Sequence, residues 1–305
     1  MKRAALFSGQ GSQYVGMGKT LYETYPEFKE LCRKADAILD RDLTSMMFEG
    51  PEELLRSTEN AQAALLTMDY GIARILTDNG VTFDFAAGHS LGEYAALALA
   101  GVLRFDDAMV IVKERGGLMS RAGEIEPGTM AAVIGMDFKA VEEICRENGA
   151  DMANFNSAEQ VVISGRISAV EKSMKACQDA GAKRVLPLNV SGAFHSRLMA
   201  ESGEKLGTLI RSFTFQKPRV PVVMNVTGER EDDPEKMKEL LIAQVSSPVK
   251  WMHSMEYMLN QGVTHFVECG PKNVLSGLVR RISKEALSLT TDTASGIEKV
   301  LEVFS

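Results

Sequence analysis

Short apolar runs alternate along the chain with longer stripes in which apolar side chains recur at helical spacing. Ala4 to Phe7 is such a run and predicts a buried strand, and the glycine-rich stretch Ser8 to Gly18 after it predicts a loop. Pro26 to Leu39 places Phe28, Leu31, Cys32, Ala35, Ile38 and Leu39 on one helical face. A second stripe, Ala61, Ala64, Leu65, Met68, Ile72, Ile75 and Leu76, ends at Asn79-Gly80, a C-terminal helix signal. The run Val81 to Ala87 predicts a strand, and the alanine-rich Leu91 to Leu103 a helix. Phe105 to Met119 predicts another helix, with Asp106 and Asp107 at its positive end.

From Gly128 the rhythm changes. Met130 to Gly135 predicts strand, Phe138 to Asn148 helix, Met152 to Asn156 strand, Val161 to Ser164 strand, Ser168 to Ala180 helix and Arg184 to Val190 strand. This order is the split βαβ, ferredoxin-like unit, bounded near Glu126 and Ser191. Residues 126–191 are therefore expected to be an inserted domain, and residues 1–125 with 192–305 one large α/β domain. The large domain resumes with a helix over His195 to Ser212, strand Val220 to Asn225, helices near Pro234 to Val245 and Trp251 to Gln261, strand Thr264 to Glu268, and a last long helix after Cys269-Gly270-Pro271. Strands alternating with helices imply a mostly parallel sheet covered on both faces.

Between the run that ends at Ala87 and the helix that follows lies Gly88-His89-Ser90-Leu91-Gly92. This is G-x-S-x-G in strand, turn, helix context, the pattern of a nucleophile elbow, which would hold the Ser90 hydroxyl out at the strand's end. A serine that merely caps a helix would also satisfy the five residues; the strand before and the helix after are what the elbow needs. Ala95, Ala96, Ala98 and Ala100 are small enough to let that helix lie close to the sheet. The expected fold class is α/β: a large α/β-hydrolase-like domain with a mostly parallel sheet and an inserted, smaller ferredoxin-like domain.

Charge narrows the functions. With 34 Lys+Arg against 41 Asp+Glu the net charge is −7, which argues against nucleic acid as a partner and leaves room for local basic patches only. The four cysteines, Cys32, Cys145, Cys177 and Cys269, form no C-x-x-C pair and sit in apolar or helical settings, so buried, reduced thiols are expected rather than disulfides or metal ligands. The opening MKRAALFSGQG is too short in apolar residues for a signal peptide, and no run reaches membrane-spanning length. A cytoplasmic location and no membrane association are the expectation.

Two phosphate-binding motifs in the first loop fail on inspection. Tyr14 stands where the third glycine of G-x-G-x-x-G belongs, and Gln13 where a P-loop before Gly18-Lys19-Thr20 needs its first glycine. The loop is expected to offer backbone amides to some other anion. A serine nucleophile needs a base, and there are four histidines. His89 neighbours Ser90 but would point away from it, His253 falls in a helical stretch and His265 inside a strand. His195 lies in a loop just after the insertion, a candidate base that position alone does not decide.

Taken together, Phe7-Ser8-Gly9-Gln10-Gly11-Ser12-Gln13, Gln62-Ala63-Ala64-Leu65, Gly88 to Tyr94, Arg115-Gly116, Gln160 to Gly165, Gly192-Ala193-Phe194-His195 and Glu268-Cys269-Gly270-Pro271 resemble, in order, the malonyl-CoA:acyl-carrier-protein transacylases. That family is related to the acyltransferase domains of fatty-acid and polyketide synthases. The resemblance implies that Ser90 is acylated by malonyl-CoA and that His195 is its base, oriented by the backbone carbonyl of Gln244 and not by a carboxylate. It implies an oxyanion hole made by the backbone amides of Gln10 and Leu91. Arg115 would grip the free malonyl carboxylate, Gln62 would lie beside the acyl group, and Phe194 would close the space of an α-methyl group.

The same resemblance implies an acyl carrier protein as second substrate and no cofactor beyond the coenzyme A thioester that is consumed; no metal and a monomer are expected. Carrier proteins of this type are acidic, and Lys183 with Arg184, joined by Arg197, is the basic surface expected to meet one. Arg197, Cys269 and Lys272-Asn273 depart from the family's common residues without touching the presumed chemistry. A serine esterase or thioesterase on the same elbow is the rival function, and Arg115 separates the two.

Overall fold

The computed structural model describes residues 1–305. In chain order the elements begin with β1 Lys2–Phe7, α1 Lys19–Thr24, α2 Pro26–Leu39, α3 Leu43–Glu49, α4 Glu52–Arg56, α5 Thr58–Asp78, β2 Phe85–Gly88, α6 Gly92–Leu99 and α7 Phe105–Ile125. Then come β3 Gly128–Ile134, α8 Phe138–Asn148, β4 Asp151–Ser157, β5 Gln160–Arg166, α9 Ile167–Asp179 and β6 Arg184–Pro187. The chain ends through α10 Ala200–Ser212, β7 Val222–Val223, β8 Arg230–Glu231, α11 Pro234–Ala243, α12 Trp251–Asn260, β9 Val263–Cys269, α13 Val274–Ile282, β10 Leu287–Thr290 and α14 Ala294–Phe304. Short 3-10 turns cover Arg197–Met199 and Gln244–Ser246.

The architecture is mixed α/β with two sheets. The larger runs β10-β9-β1-β2-β7-β8 and is parallel except for β8. The smaller, β4-β5-β3-β6, is antiparallel throughout. β1 shows why a strand buried on both faces reads as an unbroken apolar run. Ala5 and Phe7 join the largest core cluster on one face, and Ala4 and Leu6 the second cluster on the other. In β3 the period of two divides Ala131 and Val133, packed under α8 and α9, from Met130 and Ala132, which face the large core.

Register brings the site together. Phe7 pairs with Gly88 on one side and with Cys269 on the other, so the loops after β1, β2 and β9 open side by side at the carboxyl edge of the parallel sheet. The His89 amide donates to the Phe7 carbonyl at 3.0 Å, which ties the elbow to the first loop.

Several expected boundaries shift. Only Phe85–Gly88 of the run from Val81 is strand. The helix expected to reach Leu103 ends at Leu99, with Gly101 in the left-handed region at a φ of 72°. The helix expected from His195 begins at Ala200, because His195 itself has a φ of 58°, outside helical geometry. The last long helix is in fact α13, β10 and α14: Leu289 is buried where β10 pairs with β9, and the alternation Leu287-Ser288-Leu289-Thr290 was its signal. α1, α3, α4 and β8 were not anticipated. All four cysteines are buried and unpaired. No helix is long and apolar enough to cross a membrane.

Candidate active site

Ser90 sits at the elbow with a φ of 52°, in the left-handed region that side chains disfavour. The flanking glycines are a steric demand. A Cβ on Gly88 would lie 1.9 Å from the Gly92 carbonyl carbon, and one on Gly92 would lie 2.2 Å from the Phe7 oxygen. Ser90 does not cap α6, whose N-cap is Leu91 and carries no side-chain cap bond. Its hydroxyl faces a cleft of about 540 Å³ lined by Gln10, Arg115, Met130, Phe194 and His195 among others.

His195 Nε2 lies 2.7 Å from Ser90 Oγ, and its Nδ1 lies 2.8 Å from the Gln244 carbonyl oxygen. A carbonyl only accepts, so Nδ1 carries the proton and Nε2 is free to take one. Burial, with the Arg115 charge beside it, pulls the imidazole down to about 3, so the ring is neutral at rest. The positive φ of His195 is what turns the ring from the end of the insertion into the cleft.

Arg115, near the middle of α7, is buried beneath the nucleophile. Nη2 donates to Ser90 Oγ at 3.0 Å and to Gln244 Oε1 at 2.9 Å, and Nη1 to Gln62 Oε1 at 2.8 Å. The guanidinium also lies 5.6 Å from the Tyr94 ring centre. The guanidinium's hydrogen-bond partners are all neutral, and the buried Glu93 carboxyl is the acidic group that acts on it through space. Gln62 is held in turn by Met119, Nε2 to Sδ at 3.6 Å.

The backbone amides of Gln10 and Leu91 donate to no protein group, and both residues line the cleft. Such free amides beside a nucleophile are what an oxyanion hole requires. Phe194 lines the wall beside His195. The structure thus brings together Ser90, His195, Gln10, Leu91, Arg115, Gln62, Phe194 and Gln244. Lys183 and Arg184 are not among them: Arg184 pairs with Ile134 at the far end of β6, whereas the cleft begins at Leu188, and Lys183 lies 3.8 Å from Glu159. Arg197 is held by Asp151 outside the Ser90 cleft.

The cations that do line the cleft besides Arg115 are Arg56 and Lys272. Lys272 has a φ of 63°, a conformation suited to glycine, and its Nζ reaches the carbonyls of Gly11 and Gln13 at 3.2 and 3.3 Å.

Sequence reasoning missed two buried partners. Asn225 Oδ1 accepts from the Ser90 amide at 2.7 Å, and its Nδ2 donates to the Gly88 carbonyl at 2.7 Å, bracing the elbow from β7's end. Glu93 accepts from the Asn225 amide and from Gln244 Nε2. Ser90-x-x-Glu93 reads as a capping box, a signal that marks the glutamate but assigns it the wrong partner. His89, as expected, turns away from the serine, to Asn156 Oδ1 at 2.9 Å. No group of three or more His, Cys, Asp or Glu side chains is placed to hold a metal.

A half-buried serine paired with a buried histidine above an arginine, with free amides at the ends of two parallel strands, defines an acyl-transfer site. Residues 5–299 match the acyl transferase domain family, and the chain belongs to it. It is 42% identical over 306 aligned residues to the malonyl CoA-acyl carrier protein transacylase of Bacillus subtilis (strain 168), covering 99% of this chain and 96% of that one. The enzyme of the same name from Staphylococcus aureus (strain MRSA252) is 40% identical, with 97% of each chain covered. Among solved structures, an acyl-carrier-protein-S-malonyltransferase from Bartonella henselae superposes with a TM-score of 0.96 at 38% identity, covering 100% and 99% of the two chains. A malonyl-transacylase in complex with its type II PKS acyl-carrier protein gives 0.97 at 37%, covering 99% and 100%.

Proposed function

We propose that the chain is a malonyl-CoA:acyl-carrier-protein S-malonyltransferase that works through a malonyl ester on Ser90. The observation that carries this reading is the buried Arg115 guanidinium 3.0 Å from Ser90 Oγ. A cation so placed would waste its burial on a neutral acyl group, but it suits one that ends in a carboxylate, which a guanidinium can hold with two charge-assisted bonds.

The sequence of events follows from the hydrogen bonds. Arg115 and His195 Nε2 together set the Ser90 hydroxyl, which accepts from the first and donates to the second. As Oγ attacks the thioester carbonyl, its proton passes to Nε2 and the imidazolium is steadied by the Gln244 carbonyl. The carbonyl oxygen becomes an anion facing the amides of Gln10 and Leu91, donors each worth roughly 3 kcal/mol when aimed at charge that exists only in the transition state. The tetrahedral centre collapses, the C–S bond breaks, and His195 returns the proton to the coenzyme A thiolate. The phosphopantetheine thiol of the carrier then enters, gives its proton to His195, and takes the acyl group by the reverse of these steps. Malonyl-CoA is substrate throughout, and no resident cofactor or metal has a role.

A serine esterase on the same elbow is less well supported, because Nδ1 of His195 meets a carbonyl and not the carboxylate of a hydrolase triad. The large unit, residues 1–125 and 192–305, is proposed as α/β-hydrolase-like, and residues 126–191 as an inserted ferredoxin-like domain. The sheet order β4-β5-β3-β6 supports the second assignment. Close packing where the insertion leaves and returns supports the boundaries: a Cβ on Gly123 would lie 2.2 Å from the Ser191 oxygen. A cytoplasmic, monomeric enzyme is part of this proposal, and the buried, unpaired cysteines suit a reducing compartment.

The test is a chase of isolated acyl-enzyme. Carrier protein bearing its phosphopantetheine thiol should discharge the ester within the turnover time and gain the malonyl mass. Discharge to free malonate at the same rate with or without carrier would mark a hydrolase.

A further inference from the structure

Glu93 lies on α6 one turn beyond Ser90, fully buried, and no side-chain cation bonds to it. Oε1 accepts from the Asn225 amide at 2.7 Å, and Oε2 accepts from Gln244 Nε2 at 2.5 Å. These donors belong to the two segments that hold the catalytic pair. Asn225 braces the Ser90 amide, and Gln244 supplies the carbonyl behind His195.

The side-chain amide of Gln244 has a direction, and Glu93 is one of three groups that hold it. Its Nε2 faces two groups that only accept, Glu93 Oε2 and the Ser90 carbonyl at 2.8 Å. Its Oε1 faces a group that only donates, Arg115 Nη2. A carboxylate accepts at both oxygens and permits this arrangement alone. An amide or a protonated carboxyl at position 93 must present a donor to one of its two neighbours. If Asn225 keeps its acceptor, that donor meets Gln244 Nε2 and the Gln244 amide must turn, putting its NH2 against the guanidinium.

We propose that Glu93 is a positioning residue that sets the hydrogen-bond polarity of the site, holding Arg115 beside Ser90 through the amide of Gln244. The inference rests on the reading that Arg115 receives the acyl carboxylate. Burial pushes the Glu93 carboxyl up to about 7, against the opposing pull of the Asn225 and Gln244 bonds and the Arg115 charge. The ionisable groups acting on it are Arg115 from α7 and Tyr94 beside it on α6. His195 is the base for both thioesters and its titration cancels in their ratio, so a step in that ratio near neutrality belongs to Glu93.

The experiment measures the specificity constants for acylation by malonyl-CoA and by acetyl-CoA from about pH 5 to about pH 9, in wild type, Glu93→Gln and Arg115→Ala. In wild type the malonyl-to-acetyl ratio should fall about tenfold as pH drops through neutrality, the size of a lost bond to a charged group. Glu93→Gln should have the low ratio at every pH, with no step. A variant that keeps both the wild-type ratio and the step overturns the proposal. If Glu93→Gln does not fold, the wild-type profile decides, and a ratio flat through neutrality overturns it. Arg115→Ala separates the two ideas: an unchanged ratio there defeats the reading of Arg115 itself, whereas a collapsed ratio there with a normal Glu93→Gln defeats Glu93 alone.

Discussion

Arg115 Nη2 and Ser90 Oγ are 3.0 Å apart, so a buried cation donates to the nucleophile itself. Because guanidinium only donates, the serine must accept from it, and the hydroxyl proton has only His195 Nε2 to go to. Three of the five N–H groups of Arg115 are engaged, leaving one on Nη1 and the one on Nε. On the proposed reading, the acyl carboxylate meets the guanidinium at its free Nη1 hydrogen.

Removing that cation should therefore divide the substrates. Arg115→Ala should cost malonyl transfer roughly 2 to 5 kcal/mol in transition-state stabilisation while sparing acetyl transfer, which loses no partner. Specificity constants for the two thioesters check this. Equal losses would make Arg115 a structural residue.

Phe194 is buried in the cleft wall next to the base, and on the proposed reading it closes the space of an α-substituent on the acyl chain. Phe194→Ser should raise methylmalonyl transfer relative to malonyl, by no more than the ~1 to 3 kcal/mol that one methyl group is worth to a pocket. The ratio of the two specificity constants is the readout, and an unchanged ratio removes Phe194 from selectivity.

Arg56, about half exposed on the cleft wall, is better placed to meet an acidic carrier than Lys183 and Arg184 at the far end of β6. Arg56→Glu should lower the specificity constant for carrier protein more than the double change Lys183→Glu, Arg184→Glu, and more than it lowers acylation by malonyl-CoA. Added salt should narrow the gap from wild type, since exposed charges are screened beyond ~8 Å at physiological ionic strength. A larger loss in the double variant would return docking to the inserted sheet.

His195 and Glu93 make opposite contributions to stability. His195 is held down at about 3 in the folded protein, against 6.5 when unperturbed, so its contribution is complete above 6.5 and is lost as pH falls. Glu93 is raised to about 7 from 4.5, so its contribution is complete below 4.5 and is lost as pH rises through neutrality. Thermal melts of Glu93→Gln against wild type should show the variant gaining relative stability between pH 4.5 and 7. A difference in Tm that does not change with pH would mean that Glu93 titrates normally.

How far the site was legible in the chain depends on the kind of signal each residue carries. The elbow is local, since the steric demands on Gly88 and Gly92 and the burial of both neighbours are written within a dozen residues. The helical stripes of α2 and α8 gave their ends to the residue, because Pro26 and Asn148-Gly149 punctuate them. Gln10, Arg115, His195 and Gln244 came from family resemblance, because nothing near them in sequence tells that register brings them to Ser90. Asn225 stayed hidden for the same reason, a single amide at the end of a two-residue strand. β10 was missed although Leu287-Ser288-Leu289-Thr290 alternates, because four residues are a short run between two helical stripes.

The central claim is that Ser90 carries the acyl group, and the most direct measurement is the intact mass of the protein after brief exposure to malonyl-CoA. Wild type should gain one malonyl group, mapped by peptide digestion to the segment containing Ser90. Ser90→Ala should gain none while melting close to the wild-type temperature, because the hydroxyl lies on the cleft wall and outside the apolar core. An adduct on the Ser90→Ala protein, or coenzyme A release by wild type with no adduct at any time, would contradict the account.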